Sequence, residues 1–106
     1  MNRVEASVTP TESGPLVVLA GEADLTSINQ LSAVLEAQLS GGATHLTIDV
    51  SNLRYADGSS VRKIAWVAAI LRNRGGDLLL VHPSPTMIST LKLLRADDML
   101  TIRGAT

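Results

Sequence analysis

Val4, Ala6 and Val8 alternate with polar residues and stop at Pro10, the period of a half-buried edge strand. Ser13-Gly14-Pro15 supplies a turn into the continuous apolar run Leu16-Val17-Val18-Leu19-Ala20, so the two runs predict a hairpin. The second run has no polar alternation, which suits a strand covered on both faces. After Gly21-Glu22-Ala23-Asp24 the period lengthens. Ile28, Leu31, Leu35 and Leu39 fall at helical spacing, with Thr26 or Ser27 to cap the start and Gly41 to end it. A short β-branched run, His45 to Val50, leads into a polar loop, Ser51 to Ser60, and then a second helix from about Ser59 or Ser60 to Arg74, closed by Gly75-Gly76. Leu78-Leu79-Leu80-Val81 predicts another buried strand. Ser84-Pro85 starts a third helix, since a capping serine precedes a proline whose missing N–H costs nothing in the first turn. Ile88, Leu91 and Leu94 give that helix an apolar stripe, and Leu100 to Ile102 a last short strand.

Apolar strands alternating with amphipathic helices imply an α/β fold of parallel strands joined by crossover helices, preceded by one antiparallel edge strand. Functional loops in such sheets gather beyond the carboxyl ends of the strands. The loops at Gly21 to Asp24 and Ser51 to Ser60 both leave such ends, so they are expected side by side at one rim.

The chain of 106 residues supports one domain, 1–106, whose core needs no metal or disulfide. Nine Lys and Arg against ten Asp and Glu give a formal net charge of -1, without the broad basic field that nucleic acid requires. Aromatic residues make up 2%, leaving little for bases to stack on. Cysteine is absent, which removes thiolate nucleophiles and thiolate metal sites. The start, MNRVEASVTP, lacks a secretory pattern and no apolar stretch reaches the length of a membrane span, so a cytoplasmic protein without membrane insertion is expected.

The junction Asp57-Gly58-Ser59-Ser60 holds the most informative chemistry. The opening turn of a helix presents unpaired N–H donors and partial positive charge, suited to an anion or a phosphoryl group. The alternative is that Asp57 or Ser59 is simply a helix cap. Asp24, a short acid ahead of the first helix, also reads as a cap, and the expected rim places it near Asp57. A metal bridging Asp24 and Asp57 is not expected, because exposed loop acids usually hold none. On the second helix, Val61, Ile64, Ala65, Ala68 and Leu71 share one face, while Trp66 and Ile70 point almost opposite, among Arg62, Lys63, Asn73 and Arg74. A large aromatic placed where water would be suggests a partner surface, a second packing layer or a homodimer contact.

Leu19-Ala20-Gly21-Glu22-Ala23-Asp24 resembles the Gly-Glu-Leu-Asp turn of the STAS domain of anti-sigma factor antagonists. Leu46 to Ser51 followed by Leu53 to Asp57 resembles that family's strand and loop, and Gly75-Gly76-Asp77-Leu78-Leu79-Leu80 its next helix end and strand. The resemblance covers nearly the whole chain and implies a STAS-like mixed sheet with parallel central strands, an antiparallel N-terminal edge strand and interleaved helices. It also implies a bacterial switch protein that docks on a kinase-like anti-sigma factor and releases the sigma factor, with the kinase reversing this by serine phosphorylation. The family's phosphoacceptor serine directly follows the loop aspartate, in the pattern Asp-Ser-Ser-Gly or Asp-Ser-Thr-Gly. Here Gly58 stands at that position and Ser60 at the family's glycine, leaving Ser59 and Ser60 as candidate phosphoacceptors.

Catalysis is not expected. His45 and His82 sit at strand ends without a second ligand at metal spacing, and no nucleophile elbow, Walker loop or dinucleotide fingerprint is present. Met87 and Met99 read as core filler. The expectation is therefore a noncatalytic interaction module without cofactor or metal. Asp24, Asp57, Gly58, Ser59, Arg62, Lys63 and Trp66 are expected to meet the partner, an anti-sigma factor with serine kinase activity. Docking on the ATPase of a membrane transporter, and binding a small ligand or nucleotide, are the alternatives.

Overall fold

The hairpin forms as the pattern predicts, and its register explains how it tolerates proline. In the computed structural model, which describes residues 3–104, β1 (Val4–Thr11) and β2 (Gly14–Ala23) pair antiparallel, with Thr11 opposite Gly14 and Val4 opposite Gly21. The strand does not stop at Pro10. Glu22 N donates to Arg3 O, so by alternation of the ladder the hydrogen-bonding groups of Val4, Ala6, Val8 and Pro10 face away from β2. The N–H that Pro10 lacks is one the ladder never uses. Burial departs from expectation too: Val4 is buried but Ala6 and Val8 are exposed.

Beyond the hairpin, α1 (Ile28–Ser40), β3 (His45–Ala56), α2 (Gly58–Asn73), β4 (Asp77–Val81), α3 (Pro85–Leu93) and β5 (Thr101–Arg103) alternate as expected. The sheet order is β1-β2-β3-β4-β5, with every pair after the first parallel. Each crossover steps the same way across the sheet. Crossovers of one hand then put every helix on one side, which corrects the expectation that β2 is covered on both faces. Val17, Ile48 and Leu80 lie in register and are fully buried, whereas Leu16, Val18 and Ala20 on the opposite face remain partly exposed.

Leu31, Leu35 and Leu39 of α1 and Val61, Ile64, Ala65, Ala68 and Leu71 of α2 fill the space against the sheet, as their spacing predicts. Each large aliphatic side chain removed from water in this way contributes about 1.5–3 kcal/mol. Val67 is also buried, which widens the predicted apolar face of α2 toward α1. Ser84 caps α3 by accepting from Met87 N at 3.1 Å, with Pro85 in the first turn, and Met87 and Leu91 are buried.

Two strands run further than the apolar runs suggest. The segments read as polar loops continue β2 to Ala23 and β3 to Ala56. They stay paired because β3 carries two one-residue bulges: Val18 and Ala20 face Asp49 and Asn52, then Gly21 and Glu22 face Leu53 and Tyr55. The Asp49 carboxylate accepts from Ser51 N at 2.9 Å and so ties down the first bulge. Leu53 and Ala56 consequently pack against the core.

Candidate functional site

The bulged end of β3 delivers Asp57 to the mouth of α2. Asp57 N donates to Ala23 O at 2.9 Å, which fixes this junction beside the end of β2. The backbone of Asp57 is extended, and its Oδ1 accepts from Ser60 N at 2.9 Å and from the Ser59 hydroxyl at 2.8 Å. Asp57 is therefore the cap of α2, satisfying one of the free N–H groups of the first turn. Partial burial acts to raise its pKa. The Ser60 N–H, the Ser59 hydroxyl and the Ser59 N–H outweigh this and hold the carboxyl below the usual aspartate value.

The three residues after Asp57 differ in access. Gly58 is exposed, and a Cβ added there would meet nothing within 4 Å. Ser59 is partly exposed, with its hydroxyl engaged by Asp57. Ser60 is 0% exposed and its Oγ is buried without a hydrogen-bond partner among the described residues. A kinase acting on Ser60 would have to open the first turn of α2 to reach it.

Asp24 lies at the same rim, at the end of β2. Its Oδ1 accepts from the Thr26 hydroxyl at 2.6 Å and Thr26 N at 2.9 Å, closing a tight turn. The Thr26 hydroxyl is the main cause of a lowered Asp24 pKa, supported by the Thr26 and Ser27 N–H groups against desolvation and the negative charge of Asp57. Ser27 precedes α1 but does not cap it. Its buried hydroxyl instead accepts from Asp24 N at 3.1 Å and lies 3.2 Å from Glu22 O, pinning the turn.

A shallow groove of about 390 Å3 opens beside the mouth of α2, lined by Ile28, Ser59, Arg62, Lys63 and Trp66. Four of these were expected from the sequence. Ile28, the first residue of α1, was not, because its helical spacing marks it only as core. Trp66 is 48% exposed and forms one wall. Lys63 is committed within the chain: its ammonium pairs with Glu36 of α1 and stands 3.9 Å from the centroid of the Trp66 ring. Arg62 is exposed and forms no ion pair among the described residues. Two further members of the expected outer face of α2 are engaged within the chain. Ile70 packs partly against the core, and Arg74 Nη1 donates to Leu39 O at 2.9 Å and Ala43 O at 3.0 Å, capping the carboxyl end of α1.

The rim carries two exposed apolar residues beyond those expected from the sequence, Leu25 at 74% and Tyr55 at 53%. The signal was present as apolar residues inside otherwise polar stretches. Arg54 reaches Glu22 at 3.5 Å across the same rim, a weak exposed pair. The histidines lie elsewhere: His45 Nδ1 is 3.1 Å from Thr44 Oγ1, and His82 Nδ1 is 2.7 Å from Gly104 O. Among the described residues, no three His, Asp or Glu side chains converge as metal ligands do, and no helix is long and apolar enough to cross a membrane.

A family model described as Mlab, STAS domain, matches residues 6–101 of this chain. No curated protein matches it. Among solved structures, the anti-sigma factor antagonist SpoIIAA in its unphosphorylated form is 22% identical with a TM-score of 0.77, covering 96% of this chain and 90% of that one. The Bacillus cell fate determinant SpoIIAA in its phosphorylated form is 21% identical with a TM-score of 0.74, covering 92% and 90%. An anti-sigma factor antagonist from Mycobacterium paratuberculosis is 18% identical with a TM-score of 0.82, covering 94% and 85%. At these identities the likeness is one of fold.

Proposed function

The chain belongs to the STAS domain family, and on that premise we propose that it is an anti-sigma factor antagonist, a noncatalytic module that docks on a kinase-like anti-sigma factor and displaces its sigma factor. The observation that carries this reading is the groove at the mouth of α2, where Trp66 and Ile28 offer apolar surface beside the turn capped by Asp57. Covering a half-exposed tryptophan contributes about 1–1.5 kcal/mol, roughly tenfold in Kd. The sigma factor leaves by competition, because the surface that held it is occupied. Asp24, Asp57, Gly58, Ser59, Arg62 and Trp66 form the docking surface in this reading, with Leu25 and Tyr55 extending it. The cytoplasm is the corresponding compartment.

Ser59 is the hydroxyl we assign to control by phosphorylation. Transfer of the γ-phosphoryl group from ATP to Ser59 Oγ yields ADP and removes the donor that Asp57 now accepts at 2.8 Å. It also adds about -1.5 to -2 charge beside that carboxylate, which weakens the cap and repels an acidic partner surface. Gly58 favours a second reading, docking without phosphorylation control, as on the ATPase of a membrane transporter, since the family's acceptor position has no hydroxyl here.

The test is to incubate the protein with the kinase-like anti-sigma factor encoded beside it and magnesium ATP, and to follow sigma factor release and intact mass. Release of the sigma factor supports the antagonist role. A gain of one phosphoryl group that disappears in Ser59→Ala supports the switch, and tight binding without a mass change supports a constitutive antagonist. Absence of binding, or copurification with a transporter ATPase instead, overturns the antagonist reading.

A further inference from the structure

Lys63 projects from α2 toward α1, where its ammonium meets the carboxylate of Glu36, 27 residues away in sequence. Its side chain is only 18% exposed, and the same ammonium sits over the Trp66 ring at 3.9 Å from the centroid. A cation over an indole face is worth about 0.5–1 kcal/mol when exposed and about 2 when desolvated, and it favours one orientation of the ring. Lys63 and Trp66 are three residues apart, so they are neighbours on the helix surface. Glu36 and Ile28 both stand on α1. One ion pair thus links the helix that carries one wall of the groove to the ring that forms the other.

We propose that Glu36 and Lys63 are a positioning pair, which holds the Trp66 indole as a wall of the groove, and that Lys63 itself makes no contact with the docking partner. The proposal rests on the docking role given to this groove above. It leaves Arg62 as the uncompensated cation of the groove, so the salt dependence of docking runs through Arg62, with a carboxylate of the partner as its counterpart.

Trp66 is the only tryptophan in the chain, so its emission reports on the pair directly. In the free protein, Glu36→Gln and Lys63→Met are expected to shift the emission to the red, lower its anisotropy and raise quenching by acrylamide. Lys63→Arg is expected to preserve the wild-type signal. Far-UV circular dichroism checks that each variant is folded. Against the purified anti-sigma factor, Glu36→Gln is expected to bind about threefold more weakly, and Arg62→Gln to flatten the salt dependence. Unchanged Trp66 emission in Glu36→Gln and Lys63→Met overturns the proposal. So does Glu36→Gln binding as tightly as wild type or tighter, the result given by a lysine freed to touch the partner. Failure of the wild-type chain to bind overturns the docking role alone, and the emission of the free variants still decides whether the pair positions the ring.

Discussion

Replacing Asp57 separates the two roles its carboxylate combines. Oδ1 accepts from Ser60 N and from the Ser59 hydroxyl, and both bonds need an oxygen but not a charge. Asp57→Asn keeps the oxygen, and asparagine is as good a cap as aspartate; Asp57→Ala loses it, at a cost of about 1 kcal/mol within a range of roughly 0.5–2. For a domain of about this size that lowers Tm by about 4–8 °C. Thermal melts at neutral pH are expected to place Asp57→Asn close to wild type and Asp57→Ala below both. The pH dependence supplies a second check. The folded pKa of Asp57 lies below the ordinary aspartate value, so its charged form adds stability that is complete above that ordinary value and lost as pH falls through the lower folded one. The advantage of wild type over Asp57→Ala is thus expected to shrink in strong acid, whereas that of Asp57→Asn is not tied to this titration. Binding to the anti-sigma factor then isolates the charge: Asp57→Asn that is stable but docks poorly assigns the charge to recognition. An Asp57→Ala melt that superimposes on wild type refutes the capping account. An asparagine variant as unstable as the alanine one shows that charge, not the hydrogen-bonding oxygen, supports the helix.

Ser60→Ala removes a buried hydroxyl that has no hydrogen-bond partner, and leaving such a group unpaired costs about 1–3 kcal/mol, so the urea midpoint is expected to stay or rise. A marked fall shows that the hydroxyl is bonded after all. Gly58→Ser places a hydroxyl at the family's acceptor position where the added Cβ meets nothing within 4 Å; an unchanged melt is expected, with a gain of one phosphoryl group by intact mass on incubation with the kinase and ATP. Gly21→Ala combines φ of +93° with a Cβ only 2.3 Å from Arg3 O, whereas Gly42→Ala has φ of +87° and open space. Both are expected to destabilise, Gly21→Ala by more than about 1 kcal/mol and by more than Gly42→Ala in denaturant titration; equal losses would mean that the backbone at Arg3 yields freely.

What the sequence reveals here follows the range of the interactions. Periodicity located every helix and strand, because the spacing of Leu31, Leu35 and Leu39 or of Leu78 and Leu80 is a local record of which side meets the core. The meeting of Asp24 and Asp57 was legible from topology alone, since adjacent parallel strands bring their carboxyl ends together. The one-sided covering of β2 was not, because Leu16 and Val18 are as apolar as their buried neighbours and only the direction of the crossovers separates them. Lys63 reads as a free surface cation until Glu36 arrives from 27 residues away, and Arg74 until α1 ends beside it. Ser60 looks interchangeable with Ser59 in sequence, yet the step of about 100° between neighbours on α2 separates a buried hydroxyl from a partly exposed one.

The paired bulges of β3 give the span between Asp49 and Asp57 a fixed phase. Each extra residue offsets the alternation of the strand against β2: the first turns Leu53 inward opposite Gly21, and the second restores the original phase so that Ala56 faces inward opposite Ala23. In a homologous segment, loss of the first extra residue would turn Leu53 outward, and loss of either one would turn Ala56 outward and draw the helix entrance back by about 3.3 Å. Such a segment can change its letters freely on the solvent side, but its count is set by the sheet, so insertions and deletions there should be scarcer than substitutions.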